Sequence, residues 1–270
     1  MLFIILSLTG FFVGLLSAFF GVGGGVLIVP VLYGLFPDVP PSVVIGTSLS
    51  VIFFNSIVNT YNFRRLGRKT RFDWGALLAL GMMLGVLSSS FIVQHINPKT
   101  VRLIFALVLI LTGIRTLFFK ANSSTSGEIK DVNLLKSATI LLTGLAGGLI
   151  AGMTGLGGGI VMVPLLLTVH KFPLPYVPVY SNLAMIGGTL VGMIRYAQIS
   201  SPEVITNGIL SGTQLGSVQL AVAGLIFIGS SFSSKLGAKL SQKVSRTTSQ
   251  RLFVLLLIVM SGRILYSIYR

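Results

Sequence analysis

Two clusters of glycine are the residues whose types and spacing point most directly to chemistry. They are called the first and second glycine knots below, and their members are Gly21, Val22, Gly23, Gly24 and Gly25, and Gly155, Leu156, Gly157, Gly158 and Gly159. Glycine lets the backbone turn sharply and approach a ligand closely. An apolar segment follows each knot, and a helix N-terminus there would present unpaired N–H groups and about half a positive charge. We therefore predict that the N–H groups of residues 22–26 and 156–160 bind the oxygens of an anion.

A second interpretation is that the knot glycines only allow helices to cross closely. Small residues spaced four apart serve this purpose in membranes, and the sequence contains three such pairs: Gly10 and Gly14, Gly81 and Gly85, and Gly144 and Gly148. Neither knot is a phosphate-binding P-loop, because no Gly-Lys-Ser/Thr follows it. Val26 also stands where a dinucleotide-binding fingerprint needs its third glycine. The recurrence of the knot at matching positions favours the binding site.

Neutral polar side chains inside apolar segments could add hydrogen bonds to an anion. Thr47 and Ser48 lie on the third apolar segment, and the offset that aligns the knots places Ser181 and Asn182 at the same positions of its partner. The alternative is that these groups only form hydrogen bonds between helices. Their recurrence makes them candidates for substrate binding. Further polar residues on the third segment are Ser50, Asn55 and Asn59.

Three arginines lie within or near the ends of apolar segments. Arg195 is surrounded by apolar residues and glycine, and an intramembrane arginine costs at least ~2.5–3.5 kcal/mol at the centre of a span. It either serves as a counter-charge for an anion in the pathway or extends its guanidinium to the membrane surface. Arg115 and Arg263 lie near segment ends, where we expect them to reach the surface.

Enzyme, metal and cofactor chemistry find little support in the sequence. None of the five acidic residues lies in the middle of an apolar segment, cysteine is absent, and the two histidines, His95 and His170, lie near segment ends. We therefore expect a protein that is not an enzyme, with no metal and no cofactor. Coupling to protons or sodium ions stays open, and proton coupling would have to use the substrate, a histidine or water.

The composition is that of a membrane protein. The chain has 270 residues, of which 53% are hydrophobic and 9% charged, and its mean hydropathy is +0.93. Runs of about 20 apolar residues are long enough to cross a bilayer. The net charge of +15 comes from loops between apolar segments, so we expect no nucleic-acid partner. Ten apolar segments are predicted, at 2–20, 24–36, 46–62, 74–93, 101–119, 135–153, 158–170, 178–198, 212–232 and 251–269.

The sequence divides into two homologous halves. A constant offset aligns Gly10 with Gly144 and Pro30 with Pro164, as well as the knots. We predict an N-terminal repeat at 1–120, a cytoplasmic linker at 121–134 and a C-terminal repeat at 135–270. The predicted fold is all-α and polytopic, with two inverted repeats of about five segments each, eight to ten in total, and broken or re-entrant helices at the knots.

Loop charges give the orientation. Lysine and arginine are concentrated at 63–73 and 235–246, and Lys120, Lys130 and Lys136 lie in and beside the linker; we place these three stretches in the cytoplasm. The loops at 37–45 and 199–210 contain acidic residues but no lysine or arginine, and we place them outside. These placements agree only if each half crosses an odd number of times, so that the halves have opposite orientations.

The glycine-knot motif, followed by Gly-Thr-Ser-Leu at 46–49 and Arg-Lys-Thr-Arg-Phe-Asp-Trp at 68–74, resembles the sulfite exporter TauE/SafE family. The second knot with its Val-Pro-Leu-Leu is similar to the family's C-terminal repeat. The resemblance implies a multi-pass transporter of the cell (inner) membrane that exports sulfite, sulfoacetate or another organosulfonate. At 179–182, Val-Tyr-Ser-Asn departs from the family's pattern. An anion channel of the same architecture and a non-transporting membrane scaffold are the alternatives, and the oligomeric state stays open.

Overall fold

The computed structural model describes residues 2–68, 71–118, 134–173, 175–203, 211–243 and 246–269. Within these ranges the chain forms ten helices and one two-stranded hairpin, so the predicted all-α class is confirmed. The first half contains α1 (Leu2–Phe20), α2 (Gly25–Leu35), α3 (Pro41–Arg65), α4 (Phe72–Val93) and α5 (Pro98–Phe118). The second half contains α6 (Leu134–Thr154), α7 (Gly159–Thr168), α8 (Val177–Ala197), β1 (Gln214–Leu215), β2 (Val218–Gln219), α9 (Leu220–Lys243) and α10 (Arg246–Tyr269).

Three predicted segments begin several residues away from the observed helices, and one of them, expected at 251–269, begins already at Arg246. Prolines start α3 earlier than the expected residue 46, because Pro41 has no N–H to lose at the first turn of a helix. The segment expected at 212–232 begins instead with the β1–β2 hairpin, and its helix α9 continues through Lys235 and Lys239. These lysines therefore lie on a helix end rather than in a loop. The predicted linker at 121–134 lies outside the described residues except for its last position.

The helices that follow the knots are too short to cross a bilayer. Helices α2 and α7 have 11 and 10 residues, which at 1.5 Å per residue is about half of the roughly 30 Å hydrocarbon core. The end of α2 meets the start of α9 at Val222, next to the start of α3. Helix α1 runs parallel to α9, so the starts of α1 and α9 lie on the same side of the protein. The end of α2 lies on that side too. Helix α2 therefore returns to the side where α1 begins, and the α1–α2 pair is re-entrant.

Helices of the two halves pack closely against each other at two crossings. Gly10 and Gly14 of α1 lie against the backbone of Ile226 and Ser230 of α9. In the equivalent crossing, Gly144 and Gly148 of α6 lie against the backbone of Leu78 and Met82 of α4. Both crossings are parallel, and each joins the first helix of one half to the fourth helix of the other. The packing interpretation is therefore correct for these pairs, and the halves interlock rather than sit side by side.

Helices α3 and α8 form the centre of the molecule. They are the most buried of the six helices that are long and apolar enough to cross a membrane. They run antiparallel, since Asn59 near the end of α3 meets Asn182 near the start of α8, and Gly192 near the end of α8 meets Leu49. The glycine knots lie against this central pair.

Candidate functional site

The two knots adopt the same backbone conformation. In the first, φ is 72°, 83° and 85° at Gly21, Gly23 and Gly24. In the second, φ is 73°, 79° and 73° at Gly155, Gly157 and Gly158. Left-handed backbone costs about 1–2 kcal/mol per residue with any L side chain. Only glycine therefore lets the chain reverse between two helices in so few residues, which explains why the pattern recurs.

The knots meet each other at the centre of the protein. A Cβ added to Gly159 would lie 2.6 Å from the carbonyl oxygen of Gly21 and 2.7 Å from the Cα of Val22. Gly25 packs in the same way on the carbonyl oxygen of Gly155 and on Leu156. The sequence prediction of two matching knots thus extends to direct contact, and the N-termini of α2 and α7 are brought together.

Neither of these buried helix N-termini is capped by a side chain within the described part of the chain. The first N–H groups of a helix have no partner inside it, and those of Gly25, Val26, Gly159 and Ile160 belong to this class. The N–H of Leu156 has a long hydrogen bond of 3.3 Å to the hydroxyl of Thr154. Two positive helix ends therefore lie close together in the interior, and an anion is the ligand that this arrangement favours.

Two serines hold the knots from opposite halves. The hydroxyl of Ser48 donates to the carbonyl oxygen of Gly155 at 2.7 Å, and that of Ser181 donates to Gly21 at 2.8 Å. The single hydroxyl proton of each serine is therefore engaged in a hydrogen bond to a knot. These hydroxyls position the knots and do not offer a donor to an anion, in contrast to the role predicted for them.

The same bonds correct the predicted alignment of α3 with α8. Ser48 and Ser181 occupy equivalent positions, whereas the knot offset paired Ser48 with Asn182. Gly155 also packs on Ile45, and Gly21 packs on Pro178. Ile45 and Pro178 are separated by the same number of residues as Ser48 and Ser181. The equivalence between α3 and α8 therefore differs by one residue from that between the knots.

The remaining predicted site residues have other contacts. The hydroxyl of Thr47 accepts a hydrogen bond of 3.0 Å from the N–H of Gln219 and anchors the hairpin. The amide of Asn182 donates to the carbonyl of Pro178 at 2.7 Å. The guanidinium of Arg195 lies 4.3 Å from the centre of the Phe91 ring, so the structure does not bring it to the knots.

The sequence named Asn55 and Asn59 only as further polar residues of the third segment, and the structure shows that they belong to a polar network on α3. The amide of Asn59 donates to the hydroxyl of Ser17 and to the amide oxygen of Asn182, both at 3.0 Å. The amide oxygen of Asn55 accepts from the hydroxyl of Ser230. The four-residue spacing of the two asparagines places them on one face of a helix. This spacing was the feature of the sequence that indicated a polar face on α3.

Arginines hold the opposite ends of the short helices. Arg115 of α5 donates to the hydroxyl of Thr168, the last residue of α7, at 2.8 Å. Arg263 of α10 lies against Gly34 near the end of α2, with its guanidinium carbon 3.2 Å from the place of a Cβ. Arg263 is exposed and Arg115 is half-buried, and the expectation that both arginines reach the membrane surface stays a prediction. Each lies at the negative end of a short helix that belongs to the other half.

His170 lies apart from the knots, just beyond the end of α7. Its Nε2 lies 2.9 Å from the hydroxyl of Thr143, which itself donates to the carbonyl of Thr139. The imidazole is therefore the donor in this pair. Burial lowers the pKa of His170 below its ordinary value of 6.5, because desolvation disfavours the charged form.

Comparison with known proteins agrees with this architecture. A sequence model described as "Sulfite exporter TauE/SafE" matches residues 6–264. A probable membrane transporter protein of Haemophilus influenzae is 30% identical over 253 residues, which are 94% of this chain and 92% of that protein. A probable membrane transporter protein of Methanocaldococcus jannaschii is 30% identical over 89% of this chain and 87% of its own length.

A more distant relative, the probable membrane transporter protein YunE of Bacillus subtilis, is 26% identical over 98% of both chains. No solved structure matches the chain significantly. The family match covers nearly all of both halves, and the relatives are transporters rather than enzymes. The chain therefore belongs to the sulfite exporter TauE/SafE family and is a multi-pass membrane transporter of a small substrate.

Proposed function

We propose that the protein exports a small sulfur-containing anion, such as sulfite, sulfoacetate or another organosulfonate, across the cell (inner) membrane. One observation carries the proposal: two buried helix N-termini without a side-chain cap in the described structure lie side by side where the knots meet. Discontinuous helices whose N-termini point at an anionic group are a recurring transporter site. Backbone N–H groups of residues 22–26 and 156–160 would bind the oxyanion oxygens, with Ser48 and Ser181 positioning the knots.

The packing supports a particular form of alternating access. Backbone-to-backbone glycine crossings join α1 to α9 and α4 to α6, and such crossings resist sliding. Side chains dominate the contact between α3 and α8, where Ile52 and Met185 lie against both knots. We propose that α1, α3 and α9 move as one body and α4, α6 and α8 as the other. Each body then contains helices of both predicted repeats, 1–120 and 135–270.

The transport claim is tested with purified protein in proteoliposomes. We expect sulfite flux that saturates with concentration and shows counterflow, with competition by sulfoacetate and little by acetate. A large conductance without saturation would instead establish the anion channel. Flux with an imposed proton or sodium gradient decides the coupling ion. Wild-type protein that moves none of these anions would overturn the proposed function.

The site claim is tested with serine variants matched for burial. Ser48→Ala and Ser181→Ala each remove a hydroxyl that positions a knot, and a lost hydrogen bond of about 1–1.4 kcal/mol weakens sulfite binding roughly tenfold. Ser50→Ala is the control, because the Ser50 hydroxyl donates at 2.8 Å to Gly46 of its own helix. Binding is followed by the rise of the melting temperature with sulfite. Equal sulfite affinity in all three variants would contradict the site.

A further inference from the structure

Four polar side chains on α3 are buried and carry an atom that has no hydrogen-bond partner among the residues that the structure describes. These atoms are Asn55 Nδ2, Ser56 Oγ, Asn59 Oδ1 and Thr60 Oγ1, and their side chains belong to residues that are only 1%, 0%, 0% and 8% exposed. An unpaired buried polar group is costly, and native proteins contain few of them. Four within six residues of one helix need a physical reason.

The four residues form a continuous polar stripe that starts beside the knots. Ile52 lies one turn before Asn55. A Cβ added to Gly23 would lie 3.0 Å from Cγ2 of Ile52, and a Cβ added to Gly157 would lie 2.9 Å from its Cδ1. From there the stripe runs toward the end of α3, where Arg64 and Arg65 follow. Other helices add neutral polar groups along it, namely Ser17 of α1, Asn182 of α8 and Ser230 of α9. We call this stripe and its partners the polar slot.

The equivalent place on the other side of the knots is apolar. With the spacing that relates Ser48 to Ser181, the counterparts of Asn55, Ser56, Asn59 and Thr60 are Gly188, Thr189, Gly192 and Met193. Apolar side chains occupy the space beside Gly192: a Cβ added there would lie 2.6 Å from Cδ1 of Leu49 and 3.1 Å from Cγ1 of Val86. Thr189 donates its hydroxyl to Met185 of its own helix at 2.5 Å. The inverted repeat is therefore polar on one side and closed by apolar packing on the other.

We propose that the polar slot is a second subsite for a small oxyanion, on the cytoplasmic side of the knots. This inference rests on the proposed function. The slot offers hydrogen-bond donors from the Asn55 amide and from the Ser56 and Thr60 hydroxyls. Its named members include no carboxylate that would repel an anion, and the arginines at the end of α3 attract one. The amide oxygen of Asn59 accepts an O–H from the hydration shell of the ligand. Substrate reaches the knots from the cytoplasm through this slot.

Variants that remove single hydroxyls separate binding from structure. Ser56→Ala and Thr60→Val delete hydroxyls that have no hydrogen-bond partner in the described part of the chain, so we expect unchanged melting temperatures and a five- to tenfold rise in the KM for sulfite. Thr189→Val is the matched control, because it removes the equivalent hydroxyl on α8, and its KM should stay within twofold of wild type. If wild type transports sulfite and Ser56→Ala and Thr60→Val leave KM unchanged, the subsite is wrong while the proposed function stands.

A labelling experiment tests the side of access without measuring transport. The chain has no cysteine, so Ser56→Cys and Thr189→Cys can be made directly in the wild-type sequence. We expect a membrane-impermeant maleimide to label Ser56→Cys from the cytoplasmic face only, and sulfoacetate to slow this labelling. Sulfoacetate is used because sulfite itself reacts with maleimides. Labelling of Ser56→Cys from the outside, or labelling that sulfoacetate does not slow, would overturn the inference.

Discussion

Substitution of Gly148 by alanine tests whether the halves are interlocked through backbone contact. A Cβ at Gly148 would lie 2.9 Å from the Cα of Met82, whereas ordinary contact begins at 3.4 Å. The obstructing atoms belong to the backbone of α4, so the helices must separate by about half an ångström or more. Overpacking of this kind costs about 1–3 kcal/mol. For a chain of this size we expect the melting temperature to fall by about 3–9 °C.

The assay is thermal unfolding of purified protein in detergent, followed by intrinsic fluorescence. Gly224→Ala on α9 is the control, because within the described chain no heavy atom of a neighbouring helix lies within 4 Å of a Cβ there. It should be neutral or stabilise by up to about 1 kcal/mol, because alanine favours helix. Gly14→Ala, in the equivalent crossing, should resemble Gly148→Ala. The reasoning fails if Gly148→Ala melts as high as Gly224→Ala.

Two further predictions concern single side chains. Tyr196 is fully buried and its hydroxyl donates to the carbonyl of Gly152 at 2.6 Å, so Tyr196→Phe should destabilise the protein by about 0.6–1.7 kcal/mol, measured as a lower melting temperature. Burial lowers the pKa of His170, so the unfolded chain binds a proton at higher pH than the folded one. Stability should therefore be complete above about pH 6.5 and fall as the pH decreases through the depressed pKa, and His170→Gln should flatten this part of the curve.

Each of these predictions has a control. Tyr61→Phe removes a hydroxyl from a residue that is 53% exposed, and its melting temperature should match that of wild type. His95→Gln is the control for the histidine prediction, since the His95 ring lies at an exposed helix end. A melting curve of His170→Gln with the same acid dependence as wild type would show that another group is responsible.

Local sequence was sufficient to predict the knots and the break after each of them. Left-handed glycine turns and short apolar segments depend on neighbouring residues only, and both recur at one offset. The alignment of α3 with α8 was wrong by one residue because it extended that offset across the connection after α2 and α7. The second half has one residue fewer between its knot and Ser181 than the first has between its knot and Ser48. Only the hydrogen bonds reveal this difference.

Helix pairing could not be predicted for a related reason. A helix in lipid is apolar on its outer face as well as its packed one, so its sequence does not show which face contacts which neighbour. The glycine pairs indicated close crossings, but not that Gly10 and Gly14 meet the other half. The polar slot was not recognised from the sequence because its members are neutral and only Ser56 has a hydroxyl counterpart, Thr189, in the second half. Its significance depends on the symmetry that the structure reveals.

The charge balance of the short helices gives the strongest argument for an anion. Each has an arginine from the other half at its C-terminal end, Arg263 at α2 and Arg115 at α7. The negative ends of both dipoles are thus compensated, while in the described structure the positive ends meet at the knots without a side-chain cap. A cation or neutral solute would leave these ends uncompensated. We therefore propose that an anion completes both helices at once, and that its release is coupled to separation of the knots.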